Sequence, residues 1–201
     1  MQRTRVLILG AAGRDFHSFN VLINKVTPGN AAAADAVARS AAARNPRAAI
    51  HRSRSPVSVE GDPGLVRGRR VLCIEDGPTL THGGMPHGAA FAAAETLGAA
   101  AIIDPRPYAA GSIREALEQF PHIGPVLPAM GYFAQQVADL EASIRAAPCD
   151  LVLVGTPFDL ARRLDAGKPC LRVRYRIDDL PPGPTLAESV LARLAALESK
   201  P

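Results

Sequence analysis

The residues with the clearest chemical potential lie in one stretch, Val71-Leu-Cys-Ile-Glu75-Asp76-Gly-Pro-Thr79-Leu-Thr81-His82-Gly-Gly-Met-Pro-His87-Gly88. An apolar run ends in two acids, and a Gly-Pro turn, two hydroxyls and an imidazole follow. Strand, polar loop and helix in that order are how open α/β sheets present chemistry at their strand ends. A carboxylate at the C-terminal end of a strand, as Asp76 would be, suits Mg²⁺ or the orientation of a phosphate-bearing substrate. Equally, an Asp before Gly-Pro caps local backbone. Glu75 is expected to face solvent or to pair with an arginine. Thr79 and Thr81 suit phosphate oxygens and His82 suits proton donation, whereas a polar loop whose hydroxyls satisfy its own backbone explains them as well. A metal site built from Asp76, His82 and His87 lacks a helical His-x-x-x-His pair.

A second group follows at Asp104-Pro105-Arg106-Pro107-Tyr108. Arg106 has the fork geometry for a phosphate or carboxylate, and the flanking prolines restrict the backbone that carries it. The bland alternative is an Arg106–Asp104 structural pair. The functional reading expects the strand ends at Asp76 and Asp104 to converge on one crevice. Gly131-Tyr132 and Gly155-Thr156-Pro157 would line a nucleotide pocket, or simply turn the chain.

These groups need a scaffold. Arg5–Leu9 reads as a buried strand followed by the glycine loop Gly10–Gly13. Residues 15–26 are ambiguous: Val21–Ile23 is strand-like, yet Phe16, Phe19, Ile23 and Val26 share a helical face. Residues 30–44 read as a helix, with Asn30 as cap and Asp35 four residues before Arg39. A short strand is expected at 48–51 and a loop over 52–68, which holds Pro56, Gly61, Pro63, Gly64 and Gly68. Strands are predicted at 71–75, 100–103, 151–154 and 170–175, and helices at 88–97 and 158–164. Ser112–Glu115 and Thr185–Glu188 read as capping boxes opening two more helices. Phe133, Val137, Leu140 and Ile144 form one apolar helical face, and Leu186, Val190, Leu194 and Leu197 another. This alternation predicts an α/β fold with a three-layer, mostly parallel sheet covered on both sides.

The chain has 201 residues, enough for a real core in about one domain. Its net charge of +4 comes without a basic run, and aromatics make up only 4%. That argues against nucleic-acid binding. Cys73, Cys149 and Cys170 sit in or beside apolar runs and read as buried reduced thiols, which favours the cytoplasm. Val6–Leu9 is too short for a signal-peptide core or a membrane span.

The motifs Glu75–Met85, Asp104–Tyr108, Leu127-Pro-Ala-Met-Gly-Tyr132 and Gly155–Pro157 together resemble cyclic 2,3-diphosphoglycerate synthetase and its bacterial relatives, which are often described as GTPases. The resemblance covers about residues 21–180 as the C-terminal part of that family. Gly10-Ala-Ala-Gly-Arg-Asp-Phe-His17 resembles the start of its N-terminal Rossmann-like domain. Residues 1–20 are thus expected to be a remnant of that domain, and 21–201 the C-terminal part of a truncated P-loop GTPase-like α/β domain. The family's middle, with its phosphate-binding loop, has no counterpart, since the sequence holds no Gly-x-x-x-x-Gly-Lys-Ser/Thr.

The resemblance implies a cytoplasmic, ligase-like phosphoryl-transfer protein that binds ATP or GTP with Mg²⁺ and closes 2,3-bisphosphoglycerate into a cyclic anhydride. It implies catalytic roles for Asp76, His82 and Asp104, with Asp76 also the metal ligand. Substrate or phosphate binding falls to Thr79, Thr81, Arg106 and Tyr108, and nucleotide binding to Asn24, Lys25 and Thr156. Asn24-Lys25-Val26-Thr27 resembles the guanine-reading Asn-Lys-x-Asp, but Thr27 cannot accept two hydrogen bonds as a carboxylate does. The expected partner is a small phosphorylated metabolite or nucleotide, without nucleic acid or membrane, and self-association is compatible with exposed apolar surface. Loss of the phosphate loop would impair turnover. A non-catalytic anion-binding or dimerisation module, or a wrongly joined gene product, is the alternative.

Overall fold

A computed structural model describes residues 20–46, 48–131, 133–157, 160, 164–165 and 167–198. Arg5–Leu9, the Gly10–Gly13 loop, the remnant expected up to residue 20 and the helix expected near 158–164 thus lie wholly or largely outside the described residues. In chain order the elements are β1 (Asn20–Ile23), α1 (Ala31–Arg44), β2 (Ala49–Arg54), β3 (Val57–Val59), β4 (Arg70–Asp76), α2 (Gly77–Thr81), α3 (Ala89–Thr96), β5 (Ala101–Ile102), α4 (Gly111–Gln119), β6 (Leu127–Ala129), α5 (Ala134–Ala146), β7 (Leu151–Gly155), β8 (Cys170–Tyr175), β9 (Asp178–Asp179) and α6 (Leu186–Glu198). They divide into two units, Met1–Pro56 with Arg176–Pro201, and Val57–Tyr175.

The larger unit is an α/β sheet in the order β3-β8-β7-β4-β5, with β6 also on β4. Strands β4 to β8 run parallel and β3 is antiparallel to β8. β4 and β7 are continuous apolar runs because both of their faces are covered; Val71–Ile74 and Val152–Val154 are fully buried. Helix α3 packs across β3, β4, β7 and β8, while α4 packs on β6 and on α5. Alanines 90, 93 and 94 let α3 approach the sheet closely. At the opposite end from the strand tips, Arg70 ties β4 to Asp150 before β7. Its Nη2 and Nε donate at 2.7 and 3.1 Å, and its backbone N–H donates at 2.9 Å.

Several local expectations change for physical reasons. The segment after Asp76 begins as a helix, α2, rather than a loop. Phe133, expected in the core, is 80% exposed: its extended backbone makes it the N-cap of α5, so it leaves the helical phase that buries Leu140 and Ile144. Ser112 lies inside α4, whose N-cap is Ala110. Instead of capping α4, its N–H and hydroxyl donate to Asp139 of α5 at 2.9 and 2.8 Å. Gln135 completes that carboxylate's shell at 2.9 Å, and these hydrogen bonds hold the Asp139 carboxyl below its usual range. The segment 52–68 contains the end of β2 and all of β3.

The smaller unit pairs β1 with β2 in parallel and β2 with β9 antiparallel. Helix α1 lays Ala34, Ala38 and Ala41 against Val21 and Ile23. Asp35 pairs across to Arg52 at 2.6 Å instead of along the helix to Arg39. Residues 20–23 form a strand, so the helical reading of 15–26 does not hold there. At Thr185–Glu188 the capping box forms reciprocally, at 2.7 and 3.1 Å. On the apolar face of α6, Leu194 is exposed, as is Leu191 beside it; the side chain of Leu197 lies outside what is described. Among the described residues no helix is long and apolar enough to cross a membrane. Cys73 and Cys149 are buried and Cys170 is half-buried, all three as free thiols.

Candidate functional site

From β4 the chain moves to β5 and β6 on one side of the sheet. It then returns to β7 on the other side and continues to β8. The reversal falls between β4 and β7, and a ligand crevice in such sheets opens outside the carboxyl ends of the strands at that point. There Glu75 pairs with Gly155, and Asp76 with Ala129 of β6. The residues at these tips are Asp76, Gly77, Ala129, Met130, Gly155 and Thr156.

Alternation along β4 sends the two acids to opposite faces. Glu75 points at α3 and is 1% exposed, so it neither faces solvent nor pairs with an arginine. Its Oε1 accepts the Phe91 N–H at 2.9 Å. Burial pushes the Glu75 carboxyl up to about 7, against the downward pull of the N–H groups of residues 88–91. Glycines make the room: a Cβ on Gly88 would stand 2.5 Å from Oε2, and one on Gly155 would stand 2.6 Å away. The local sequence hint is that Glu75 directly follows the apolar run Val71–Ile74, but the groups that enclose it come from distant segments.

Asp76 is half-buried and acts as the N-cap of α2. Its Oδ2 accepts from the Thr79 N–H at 3.2 Å and from the Thr79 hydroxyl at 2.7 Å. Thr81 donates to the Gly77 carbonyl at 3.0 Å. His82 is exposed at the C-terminal end of α2, and His87 stacks on Phe91 with ring centroids 4.4 Å apart. Gly77 lies against β6 so closely that a Cβ would stand 2.4 Å from the Ala129 carbonyl oxygen.

Asp104 sits elsewhere. β5 pairs only with Arg70 and Val71, and β6 takes over the same edge of β4 from Ile74 to Asp76. The neighbour of the Asp76 tip on that side is therefore β6, and the expected pairing of the Asp76 and Asp104 tips gives way to it. Arg106 pairs with Asp104 at 3.1 Å and donates to the carbonyls of Ile123 and Gly124, bracing the turn that enters β6. Tyr108 packs partly buried against the core.

Thr156 is buried at the tip of β7. Asn24 and Lys25 belong to the smaller unit, at the end of β1. Asn24 Oδ1 accepts the Lys25 N–H at 2.7 Å and the Ser53 hydroxyl at 2.8 Å, holding Lys25 in the left-handed region at φ 60°. Among the described residues, no group of three or more His, Cys, Asp or Glu side chains is placed to hold a metal ion, and Asp76 Oδ2 is already engaged by Thr79.

The structure thus shows an α/β sheet whose strand order reverses between β4 and β7. No family model matches this chain. It is similar to an arginine synthetase, ArcE, of Thermococcus kodakarensis, with 46% identity over 160 residues covering 80% of this chain and 36% of that protein. The chain thus spans about a third of the length of the curated relative that it matches.

Proposed function

We propose that this chain binds a nucleotide or a small phosphorylated metabolite at the tips of β4 and β7, as the ligand-binding α/β part of a synthetase-type protein. The strand reversal that brings Asp76, Gly155 and Thr156 together carries this reading, and the likeness to a curated synthetase supports it. By the resemblance already noted, the ligand classes are ATP or GTP and 2,3-bisphosphoglycerate. Asp76 orients the ligand, and the backbone N–H groups of the tips supply donors. His82 is exposed at the far end of α2, where it supplies or accepts a proton. A second reading follows from the relative's name: an arginine-forming reaction would bring a guanidinium group to the site, and a planar fork of donors suits the Asp76 carboxylate.

Calorimetric titration of the chain with Mg·ATP, Mg·GTP, 2,3-bisphosphoglycerate and L-arginine separates these readings. Asp76→Asn keeps an acceptor for the Thr79 N–H, since Asn caps helices as well as Asp. It is expected to weaken Mg-nucleotide or arginine binding about tenfold to a hundredfold. Nucleotide hydrolysis abolished by the same change would mark an enzyme, and binding without turnover a module. Failure of every probe to bind, or unchanged affinity in Asp76→Asn, would overturn the assignment.

A further inference from the structure

Helix α3 begins at Ala89 with Gly88 as its N-cap, and Gly88 has no side chain with which to cap it. The first N–H groups of a helix have no partner within it. Here the partner comes from another element: Glu75 of β4 accepts the Phe91 N–H at 2.9 Å, so its carboxyl lies at the positive end of the helix. The fit is tight, because both Gly88 and Gly155 must lack a Cβ for Glu75 Oε2 to occupy its place. Two residues before that N-cap, the Pro86 carbonyl accepts the Gly124 N–H at 2.7 Å, and at the α2 end the His82 and Gly83 N–H groups donate to the Pro78 carbonyl at 3.0 and 3.1 Å. Residues 82–88, which carry His82 and His87, are thereby held between α2 and α3 at the strand tips.

We propose that Glu75 is a positioning residue: as the cap of α3 supplied from β4, it pins segment 82–88 beside Asp76 and the tip of β7. The Glu75 carboxyl also occupies the space at the N-terminus of α3, so a ligand's phosphate is excluded from that helix end. The pinning stands on the geometry of β4, α3 and β7, while its effect on ligand affinity rests on the strand-tip reading proposed above.

The test compares the wild-type chain with Glu75→Gln, which keeps the shape and removes the charge. Amide exchange at residues 88–91 is expected to quicken about tenfold to a hundredfold. Affinity for Mg·ATP is expected to fall at least about tenfold, with the global unfolding midpoint unchanged or raised. In the pair Glu75→Ala with Gly88→Ser, the new hydroxyl has room once the carboxylate is gone and caps α3 itself; protection at Phe91 and affinity are expected to return. Unchanged exchange at 88–91, faster exchange with unchanged affinity, or uniform loss of protection together with a lower midpoint would each overturn the proposal. If the wild-type chain binds none of the titrated ligands, the strand-tip reading falls, and exchange and its rescue by Gly88→Ser still decide whether Glu75 pins the segment.

Discussion

At the scale of single residues, the two adjacent acids of β4 show how strand alternation divides labour. Asp76 turns toward α2 and caps it, while Glu75 turns toward α3 and is sealed. A carboxyl whose folded value is raised from 4.5 to about 7 binds its proton more tightly in the folded chain than in the unfolded one. Its contribution to stability is therefore fully present below about 4.5 and is lost as pH rises through about 7. The unfolding free energy of wild type minus that of Glu75→Gln is expected to fall by about 3 kcal/mol across that window, read from urea titrations at a series of pH values. A flat difference would mean that Glu75 does not exchange its proton there. Asp76 was legible as a strand-end acid, because Gly-Pro after an apolar run is a strong local signal. The environment of Glu75 was not, because the donors that surround it come from residues 88–91 and the space from Gly155, far along the chain.

At the scale of elements, close backbone approach decides where the helices go. Gly77 starts α2 against β6, with the Ala129 carbonyl oxygen 2.4 Å from where a Cβ would stand. Gly77→Ala is expected to cost about 1–3 kcal/mol, because neither backbone can retreat without disturbing the β4–β6 pairing. A chemical-denaturation midpoint that matches wild type would show that α2 shifts freely. Periodicity located α1, α3, α5, β4, β7 and β8, all long or strongly apolar. It missed β3, β6, β9 and α2, which are five residues or fewer and depend on partners distant in sequence. Ser112 makes the same point: its spacing to Glu115 fits a capping box, yet the charged oxygen of Asp139 outcompetes the local arrangement.

At the scale of the whole molecule, the unit Val57–Tyr175 is continuous in sequence, while the other unit is assembled from both ends of the chain. The larger unit begins and ends on neighbouring strands, with Val57 opposite Tyr175. Its core includes Val71–Ile74 of β4, Leu127 and Ala129 of β6 and Leu151–Val154 of β7. Residues 57–175 produced alone are expected to unfold in a single cooperative transition, with Asp76 and Thr156 in place. A broad, non-cooperative melt would show that the sheet needs residues outside those limits.

The sequence by itself determined that this is an α/β protein with a cluster of polar residues after β4, because apolar runs, turn residues and helical periodicity are local properties that the chain carries with it. Only the tertiary structure decided which strand stands beside the Asp76 tip, since β5 and β6 compete for one edge of β4 and register is a matter of non-local pairing. It also decided that Arg106 braces backbone carbonyls and that Glu75 is buried at a helix end: the fate of a charged side chain is set by what other segments bring within hydrogen-bonding distance.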